Sequence, residues 1–307
     1  MKNNSLTIII VTYNGTEWLD QCLKNCAGMP VVIIDNASTD DTVSFIETNY
    51  PKVTLLKQSV NLGFGQANNL GITYALDQGA EQVFLLNQDA YLQNNCIETL
   101  IAVQKNNPSY GILSAIHLNG QGNRLDQNFS NYVSYKNNPH FYSDFILNKS
   151  LDEVYEVPFV NAAGWLLSRS ILEKVGGFDP MFFHYGEDDN YCQRAIYHGF
   201  KIGVVPNAFL LHDREDRFVP PSEKYSNQYF SRRARTLKLQ YGNINLENLS
   251  QLDHQKRRLI KNILKAKLKW NWTQASNLKQ ELDLVTKLLP EITKSRNQNK
   301  ISGKTYL

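Results

Sequence analysis

The sequence lacks the features of a membrane-spanning or secreted chain. Its 307 residues contain no uninterrupted apolar run near the roughly 18 residues that a transmembrane helix needs. The N-terminus has no cationic segment followed by an apolar one, which is the pattern of a signal peptide. A composition of 42% hydrophobic and 20% charged residues is typical of a soluble globular protein. We therefore expect a cytoplasmic protein.

Cysteine is scarce, and its spacing excludes two further classes of protein. The four cysteines are Cys22, Cys26, Cys96 and Cys192, and none of them forms a C-x-x-C pair. Neither a disulfide framework nor a zinc cluster is indicated. Cys22 and Cys26 lie four residues apart, as neighbours on one helix face do, so buried thiols are expected.

Charge is distributed unevenly along the chain. Residues 1–222 carry 14 Lys and Arg against 23 Asp and Glu, whereas residues 223–307 carry 18 against 6. The net charges of the two parts are therefore −9 and +12. We predict one domain over 1–222 and a basic, mainly helical extension over 223–307. A basic extension on an acidic body indicates an anionic partner.

Buried strands alternate with helical stretches in the acidic part. Continuous apolar runs predict strands that are buried on both faces, at residues 6–12, 31–34, 53–56 and 83–86. Apolar residues with helical spacing lie between these runs, at 17–26, at 41–48 and from residue 66 onwards. Alternation of this kind predicts an α/β fold, with a mostly parallel sheet covered by helices on both faces.

Polar residues end three of these predicted strands. Thr12 and Asn14 follow the first strand, Asp35 and Asn36 the second, and Asp89 the fourth. Right-handed crossovers bring such ends to one edge of the sheet, where α/β proteins bind ligands. We predict a nucleotide-sized crevice there, in which Asp35 accepts hydrogen bonds from a base or ribose. Asp89 is a candidate metal ligand facing a diphosphate. For both acids, the alternative is a polar turn that begins the next helix.

A glycine-rich turn, N-L-G-F-G-Q-A-N-N-L-G, occupies residues 61–71. Gly63 and Gly65 permit close approach of the backbone to a ligand, and a helix beginning near Gln66 would direct N–H groups at an anion. The turn is not the dinucleotide-binding fingerprint, because its glycine spacing differs and it follows the third strand. A simple bend is the alternative. Gly71, inside the helix, predicts tight packing on the sheet.

Three consecutive carboxylates, Glu187, Asp188 and Asp189, follow an aromatic run at the start of a later helix. Adjacent acids repel one another unless a helix N-terminus, a cation or partial protonation relieves them. Helix capping explains one or two of them, whereas all three behind an aromatic wall favour a general base. His212 ends a further strand and, with Asp89, could complete a divalent metal site. A lone histidine is more often structural.

Two other segments leave alternatives open. Residues 119–157 form an insertion rich in aromatic residues. Its rings either stack on an acceptor or pack the insertion itself. The candidate rings are Tyr132, Tyr135, Phe141 and Tyr142. Residues 255–272 place apolar side chains on one helical stripe with basic residues around it. Such a helix lies on an anionic membrane, at the inner face of the cell membrane, or packs against the body or a second subunit in a homodimer. Nucleic-acid binding by this tail is not expected.

Seven ordered motifs in residues 5 to about 215 resemble the family-2 glycosyltransferases, and especially their bacterial rhamnosyltransferase-like branch. They are T-Y-N at 12–14, I-I-D-N-A-S-T-D at 33–40, N-L-G-F-G-Q-A-N-N-L-G-I at 61–72, L-L-N-Q-D-A at 85–90, N-A-A-G-W-L-L-S-R at 161–169, G-G-F-D-P-M-F-F-H-Y-G-E-D at 176–188 and L-H at 211–212. Seven motifs in order over some two thirds of the chain are far more specific than any single one.

The resemblance implies a single Rossmann-like domain of the GT-A type, inverting transfer and dependence on Mg or Mn. The implied donor is a dTDP-deoxyhexose or a UDP-hexose, and the implied acceptor is a hydroxyl of a growing surface glycan or lipid-linked glycan. By position, it assigns donor binding to Thr12, Asn14, Asp35, Asn36, Gly63, Gly65, Asn68, Asn87, Gln88 and Trp165. It assigns the metal to Asp89 and His212, and the base to Asp188 of the pair Glu187 and Asp188.

Two positions depart from the family's pattern. Asn87 stands where the family's D-x-D element has its first acid, so fewer carboxylates would hold the metal. Asn190 stands where relatives often have a further aspartate. A nucleotide-sugar-binding protein with weak or lost transfer is one alternative. A nucleotidyltransferase is another, but it needs a glycine-rich basic loop directly after the first strand, and residues 13–17 offer none.

Overall fold

The computed structural model describes residues 6–214 and 222–307. The chain divides into two compact units, Met1–Asp216 with Ser302–Leu307, and Arg217–Ile301. The first unit contains the sheet, and the second contains the helices α9 (Asn227–Gly242), α10 (Leu249–Leu268) and α11 (Trp272–Asn299). The predicted α/β class with a C-terminal helical region is confirmed. The assignment of separate functions to 1–222 and 223–307 stays a prediction.

The described part of the first unit contains nine strands and eight helices. The strands are β1 (Leu6–Thr12), β2 (Val31–Asp35), β3 (Thr54–Lys57), β4 (Gln82–Asn87), β5 (Ala90–Leu92), β6 (Tyr110–Asn119), β7 (Tyr155–Glu156), β8 (Gly164–Ser168) and β9 (Lys201–His212). The helices are α1 (Thr16–Lys24), α2 (Thr42–Asn49), α3 (Phe64–Asp77), α4 (Cys96–Asn106), α5 (Gln127–Tyr132), α6 (Phe141–Ile146), α7 (Arg169–Lys174) and α8 (Glu187–Tyr197).

All nine strands join one sheet in the order β3-β2-β1-β4-β8-β6-β9-β5, with β7 paired to β9. Strands β3, β2, β1 and β4 are parallel, as their continuous apolar runs predict. Beyond them the sheet is mixed, because β8 runs antiparallel to both β4 and β6. The parallel half therefore presents the carboxyl ends of β1, β2 and β4 at one edge.

The core lies on both faces of this sheet. Helix α3 covers one face, and α1 and α4 contribute to the cluster on the other. All four cysteines are free and buried, as expected. Of the helices in the described residues, none combines the length and apolar character needed to cross a membrane.

Helix α3 approaches the sheet most closely at Gly71. A Cβ atom added there would lie 2.5 Å from Ile9 Cγ2 and 2.6 Å from Ile34 Cδ1. Both isoleucines are fully buried. The predicted tight packing of Gly71 on the sheet is confirmed.

Gly71→Ala is expected to lower the free energy of unfolding by about 1–3 kcal/mol, because overpacking displaces buried side chains. Alanine's better helix propensity offsets at most about 1 kcal/mol of that loss. Urea unfolding followed by circular dichroism measures the change. Leu70→Ala, at an exposed position of the same helix, is the control and should shift the free energy by about 0.5 kcal/mol or less. An unchanged unfolding midpoint for Gly71→Ala would contradict the tight contact.

The last residues of the chain pack on the first unit beside α8. The N–H of Gly177 donates a hydrogen bond to the carbonyl of Thr305 at 2.8 Å. The buried guanidinium of Arg194 donates to the carbonyls of Val175 and Gly177, and to Thr305 Oγ1 at 3.1 Å. Residues 302–307 therefore tie the turn at 175–177 to the helix whose first turn contains Asp188.

Candidate active site

A cavity of about 430 Å³ opens at the carboxyl ends of β1, β2 and β4. It lies at the edge where the sequence predicts a crevice, and its volume is in the range of small-molecule sites. Five of its lining residues are ones that the sequence predicts to bind the sugar donor or a metal: Asn36, Gly63, Asn87, Gln88 and Asp89. The others are Val11, Tyr13, Asn61, Phe64, Phe183 and His184.

Gln88 joins the end of β4 to the end of β1. Its Oε1 accepts hydrogen bonds from Thr12 Oγ1 at 2.7 Å and from the N–H of Tyr13 at 3.0 Å. A Cβ atom at Gly15 would lie 2.4 Å from this oxygen, so the glycine leaves room for the contact. Thr12 is fully buried and bonded within the protein. Its side chain therefore positions Gln88 and Tyr13 at the cavity wall.

Asn36 holds the glycine-rich turn. Its Oδ1 accepts from the N–H of Leu62 at 2.8 Å, and its Nδ2 donates to Asn61 Oδ1 at 3.0 Å and to the carbonyl of Gly63 at 3.3 Å. Gly63 has a φ of 78°, and an added Cβ would lie 1.9 Å from the carbonyl oxygen of Phe183. Protein atoms, not a ligand, occupy the space that this glycine leaves.

Asn14 joins the loops after β1 and β2, and Asp35 stabilises the second of these loops. Asn14 Oδ1 accepts from the N–H of Thr39 at 2.9 Å, so this side chain links the two loops. Asp35 is buried, and its Oδ2 accepts from the N–H of Ser38 at 3.2 Å. Its Oδ1 is buried with no hydrogen-bond partner among the described residues. A buried carboxylate oxygen in that state is costly, which favours a ligand that donates to it.

Six predicted donor residues do not line the cavity: Thr12, Asn14 and Asp35, described above, and Gly65, Asn68 and Trp165. A Cβ at Gly65 would lie 2.8 Å from Phe178 Cβ and 3.4 Å from Glu187 Cβ, so this glycine serves the packing of α3 near α8. The Asn68 amide donates to a carbonyl one turn back in α3 at 3.0 Å. Trp165 is fully buried and stacks on Phe178 with ring centroids 6.1 Å apart. These positions give Gly65 and Trp165 packing roles in the core.

His212 lies between two carboxylates. Its Nε2 is 3.6 Å from Asp89 Oδ1, and its Nδ1 is 3.6 Å from Asp126 Oδ2. The pairing of β5 with β9 creates this arrangement, because Ala90 lies opposite His212. The sequence therefore predicted correctly that Asp89 and His212 come together.

Asp126 and Arg214 complete this network, and the sequence analysis did not identify either. Arg214 donates to both carboxylate oxygens of Asp126, at 2.9 and 2.8 Å. Burial favours the protonated acid, but these bonds and the N–H of Phe129 leave the pKa of Asp126 below its ordinary value. The only local signal was the position of Asp126 as the N-cap of α5, where its side chain accepts from Phe129.

Asp89 and His212 are two donors suited to a divalent cation. A carboxylate hydrogen-bonded to the far nitrogen of a ligating histidine is the usual orienting partner. Asp126 lies on that side of His212, but at 3.6 Å it is beyond hydrogen-bond distance, and His212 Nδ1 has no hydrogen-bond partner among the described residues. In 6–214 and 222–307, no three His, Cys, Asp or Glu side chains are grouped so that they could enclose a metal. Mg²⁺ commonly takes one or two carboxylates together with substrate phosphates and water. The pair therefore fits a cation whose remaining ligands come from a phosphate-bearing molecule.

Glu187 and Asp188 begin α8 and do not line the cavity. Glu187 is only 5% exposed, whereas Asp188 is half-buried and its Oδ1 accepts from the N–H of Asp189 at 2.9 Å. Burial, and then the negative charge of Asp188, raise the pKa of the Tyr132 phenol, and the positive charge of Arg214 lowers it. Tyr132 is therefore within electrostatic reach of both groups.

The aromatic insertion separates into packed and exposed rings. Phe141 is buried in the core, as the packing alternative predicts, whereas Tyr135 is 73% exposed. Tyr132 is partly buried and meets Phe159 edge-on with centroids 4.9 Å apart. Of these rings, Tyr132 is the one whose phenol pKa is raised by the negative charge of Asp188.

Three comparisons identify relatives of the chain. The dTDP-rhamnosyl transferase RfbF of Shigella flexneri is 27% identical over 235 residues, covering 71% of this chain and 72% of that protein. The N-acetylglucosaminyl-diphospho-decaprenol L-rhamnosyltransferase of Mycobacterium tuberculosis is 27% identical over 240 residues, covering 68% and 76%.

The crystal structure of GalNAc-T7 with UDP, GalNAc and Mn²⁺ has a TM-score of 0.55 at 16% identity, and the match covers 76% of this chain. It spans about half of that protein, 48%, and shows likeness of fold alone. Residues 7–176 match the profile of the family described as Glycosyl transferase family 2. Because this match covers more than half of the sequence, and the cavity lies where its ordered motifs meet, the chain belongs to glycosyl transferase family 2.

Proposed function

We propose that this glycosyltransferase moves a deoxyhexose from a dTDP-sugar to a hydroxyl of a growing or lipid-linked glycan, with inversion at the anomeric carbon. The observation that carries the proposal is the convergence of the cavity, the unbonded oxygens of Asp35 and Asn87, and the Asp89–His212 pair at one sheet edge. The names of the two rhamnosyltransferase relatives support the deoxyhexose. A UDP-hexose is the alternative donor.

The nucleoside end of the donor would use Asp35 and Tyr13. The unpartnered Oδ1 of Asp35 is suited to accept a hydrogen bond from the N–H of a pyrimidine base or from a ribose hydroxyl. Tyr13 lines the cavity and is 45% exposed, so its ring is available to stack on a base. Asn14 and Asn36 would act indirectly, by holding the loops that form this end of the cavity.

The diphosphate end would lie beside Asp89 and His212. Asp89 and His212 would hold a Mg or Mn ion, which would supply positive charge to stabilise the departing diphosphate. Asn87 lines the cavity, and its Oδ1 is buried with no hydrogen-bond partner among the described residues, so this oxygen would accept from a donor hydroxyl or from bound water. Asn87 is neutral where the family's pattern has an acid. We therefore infer weaker metal binding in the absence of donor than two carboxylates would give.

The acceptor end would use Asp188 as general base. As the acceptor oxygen bonds to the anomeric carbon, the bond from that carbon to the diphosphate breaks, and Asp188 takes the hydroxyl proton. Attack on the face opposite the leaving group inverts the anomeric configuration. Tyr132 would position the acceptor.

Nucleotide sugars are expected to raise the melting temperature of the protein, because they bind the native state alone. At about 100 times the dissociation constant, one ligand adds about 2.7 kcal/mol of stability. We expect a dTDP-deoxyhexose to exceed UDP-hexoses and GDP-hexoses, and Mn²⁺ to enlarge the shift. Asp35→Asn should reduce the shift for every pyrimidine donor. The absence of a shift for all nucleotide sugars would contradict donor binding.

Incubation with the stabilising donor and a lipid-linked glycan tests the transfer itself. Proton NMR of the product reports the anomeric configuration, which should be opposite to that of the donor. Donor binding without any product, across a panel of glycan acceptors, would favour the binding protein with lost transfer. A product that retains the donor configuration would contradict the single displacement.

A further inference from the structure

Helix α10 has two apolar faces, and only one of them is packed. The packed face lies along α11, and its buried residues are Leu252, Leu259 and Ala266. The opposite face repeats apolar side chains every four residues, with Ile260 43%, Leu264 56% and Leu268 81% exposed. The apolar side chains of α10 therefore form two rows, an inner row packed on α11 and an outer row exposed to solvent.

Two tryptophans follow the outer row beyond the end of α10. Trp270 is 79% and Trp272 is 58% exposed, and their ring centroids are 6.2 Å apart. We call Ile260, Leu264, Leu268, Trp270 and Trp272 the outer stripe. Large apolar side chains that are exposed together mark an interaction surface far more often than single exposed ones do.

Basic side chains surround the outer stripe. Between residues 254 and 272 the sequence has seven and no acidic residue: Lys256, Arg257, Arg258, Lys261, Lys265, Lys267 and Lys269. At 100° per residue, Lys256 and Lys267 lie on one side of the stripe and Lys261 and Lys265 on the other. The ion pairs formed by described residues include none of the seven, so their charge is available to a partner.

We propose that the outer stripe docks on an anionic lipid surface. The aliphatic row and the two tryptophans would enter the headgroup boundary, where tryptophan is favoured. The lysines on both sides would extend their ammonium groups to lipid phosphates while their stems cover apolar surface. An anionic bilayer satisfies the apolar row and both basic flanks together. This proposal does not depend on the donor or the transfer reaction.

Other partners match only half of the surface. A second copy of the chain would cover the apolar row but bring seven positive charges against seven more, and like charges across an interface are unfavourable. A nucleic acid would use the basic residues but leave the aliphatic side chains of Leu264 and Leu268 exposed to water. The bilayer is therefore the partner to which both the charge and the apolar exposure point.

Vesicle flotation of the full-length chain tests this docking. We expect binding to vesicles in which about a third of the lipid is phosphatidylglycerol, and little binding to pure phosphatidylcholine. The double variant Leu268→Ser with Trp270→Ser should weaken binding about tenfold or more. Lys261→Gln with Lys265→Gln should also weaken it, by about fivefold for each charge. Leu246→Ser, at a leucine outside α10 that is 47% exposed, is the matched control and should bind like the parent.

Several results would overturn the proposal. They are equal binding to neutral and anionic vesicles, or parental binding by the Leu268 and Trp270 double variant. A dimer in analytical ultracentrifugation that the same double variant converts to a monomer would assign the stripe to a subunit contact instead. Salt-sensitive DNA binding that matches vesicle binding and survives the double variant would assign it to a polyanion. Urea unfolding of each variant establishes that it is folded.

Discussion

Asp188→Asn is expected to lower the turnover number of transfer by about 10²–10⁴-fold, the usual contribution of a positioned general base. Donor affinity should change little, because the proposed base would act on the acceptor. Asparagine keeps an oxygen at the position that accepts from the N–H of Asp189 at 2.9 Å, so the first turn of α8 should retain its geometry. Steady-state rates with saturating donor and acceptor, together with the donor-induced shift in melting temperature, measure both quantities.

Asp189→Asn is the matched control for this experiment. It removes the same charge from the same helical turn, and we expect it to reduce turnover by less than about tenfold. Equal losses in the two variants would show that the charge of the acidic turn matters and that no single base acts. Full turnover by Asp188→Asn would remove that residue from the proposed role. Glu187 is a less suitable base, because it is buried close to Gly65.

The first ninety residues are where sequence reasoning was most accurate. The run expected at 6–12 is β1 (Leu6–Thr12), and the one expected at 31–34 is β2 (Val31–Asp35). Buried parallel strands need apolar residues at every position, so the length of the apolar run predicts the length of the strand. The close packing at Gly71 was also predictable, since a glycine inside an apolar helix indicates a close neighbour.

Later elements depend on contacts that a local pattern does not contain. The strand that His212 was expected to end is β9 (Lys201–His212), which continues through Pro206. The pairing with β6 passes from Ala115 opposite Val205 to Ile116 opposite Phe209, which accommodates Pro206 and its missing N–H. The return of residues 302–307 beside Arg194 also escaped prediction, because its partners lie more than 100 positions away.

The site shows the same division between local and distant contacts. Polar strand ends correctly placed Asn87, Gln88 and Asp89 at a cavity, because the topology of parallel strands is sufficient for that inference. Of the two carboxylates beside His212, Asp89 was foreseen and Asp126 was not, because Asp126 is the N-cap of α5 and does not end a predicted strand. Close approach of a ligand at Gly63 stays a prediction, but a second reason for this glycine was missed. The carbonyl of Phe183 occupies the space at that glycine, and sequence alone does not reveal such a neighbour.

Asp89→Ala is expected to weaken the apparent affinity for Mn²⁺ in the presence of donor by about 100-fold or more, since loss of an outer-shell partner alone costs about 10–100-fold. Donor affinity measured in Mn²⁺ should fall with it, because the proposed cation would join the protein to the diphosphate. The backbone carbonyl of Asp89 accepts a hydrogen bond from the N–H of Asp213 at 2.7 Å. Because the side chain takes no part in this bond, the substitution leaves it in place. Metal titrations of activity and of the melting temperature measure the two effects.

Asp213→Asn provides the matched control, because this neighbouring carboxylate accepts from the hydroxyl of Tyr91 at 2.9 Å and has no place in the proposed metal site. We expect its response to Mn²⁺ and to chelator to follow that of the parent. Asp126→Asn should give an intermediate loss, because it removes the carboxylate behind His212 Nδ1 and keeps both proposed ligands. A cation held between Asp89 and His212 predicts a specific order of effects on metal affinity. The loss should be largest for the Asp89 variant, smaller for the Asp126 variant and smallest for the Asp213 variant. Equal metal responses in Asp89→Ala and the parent would exclude that position.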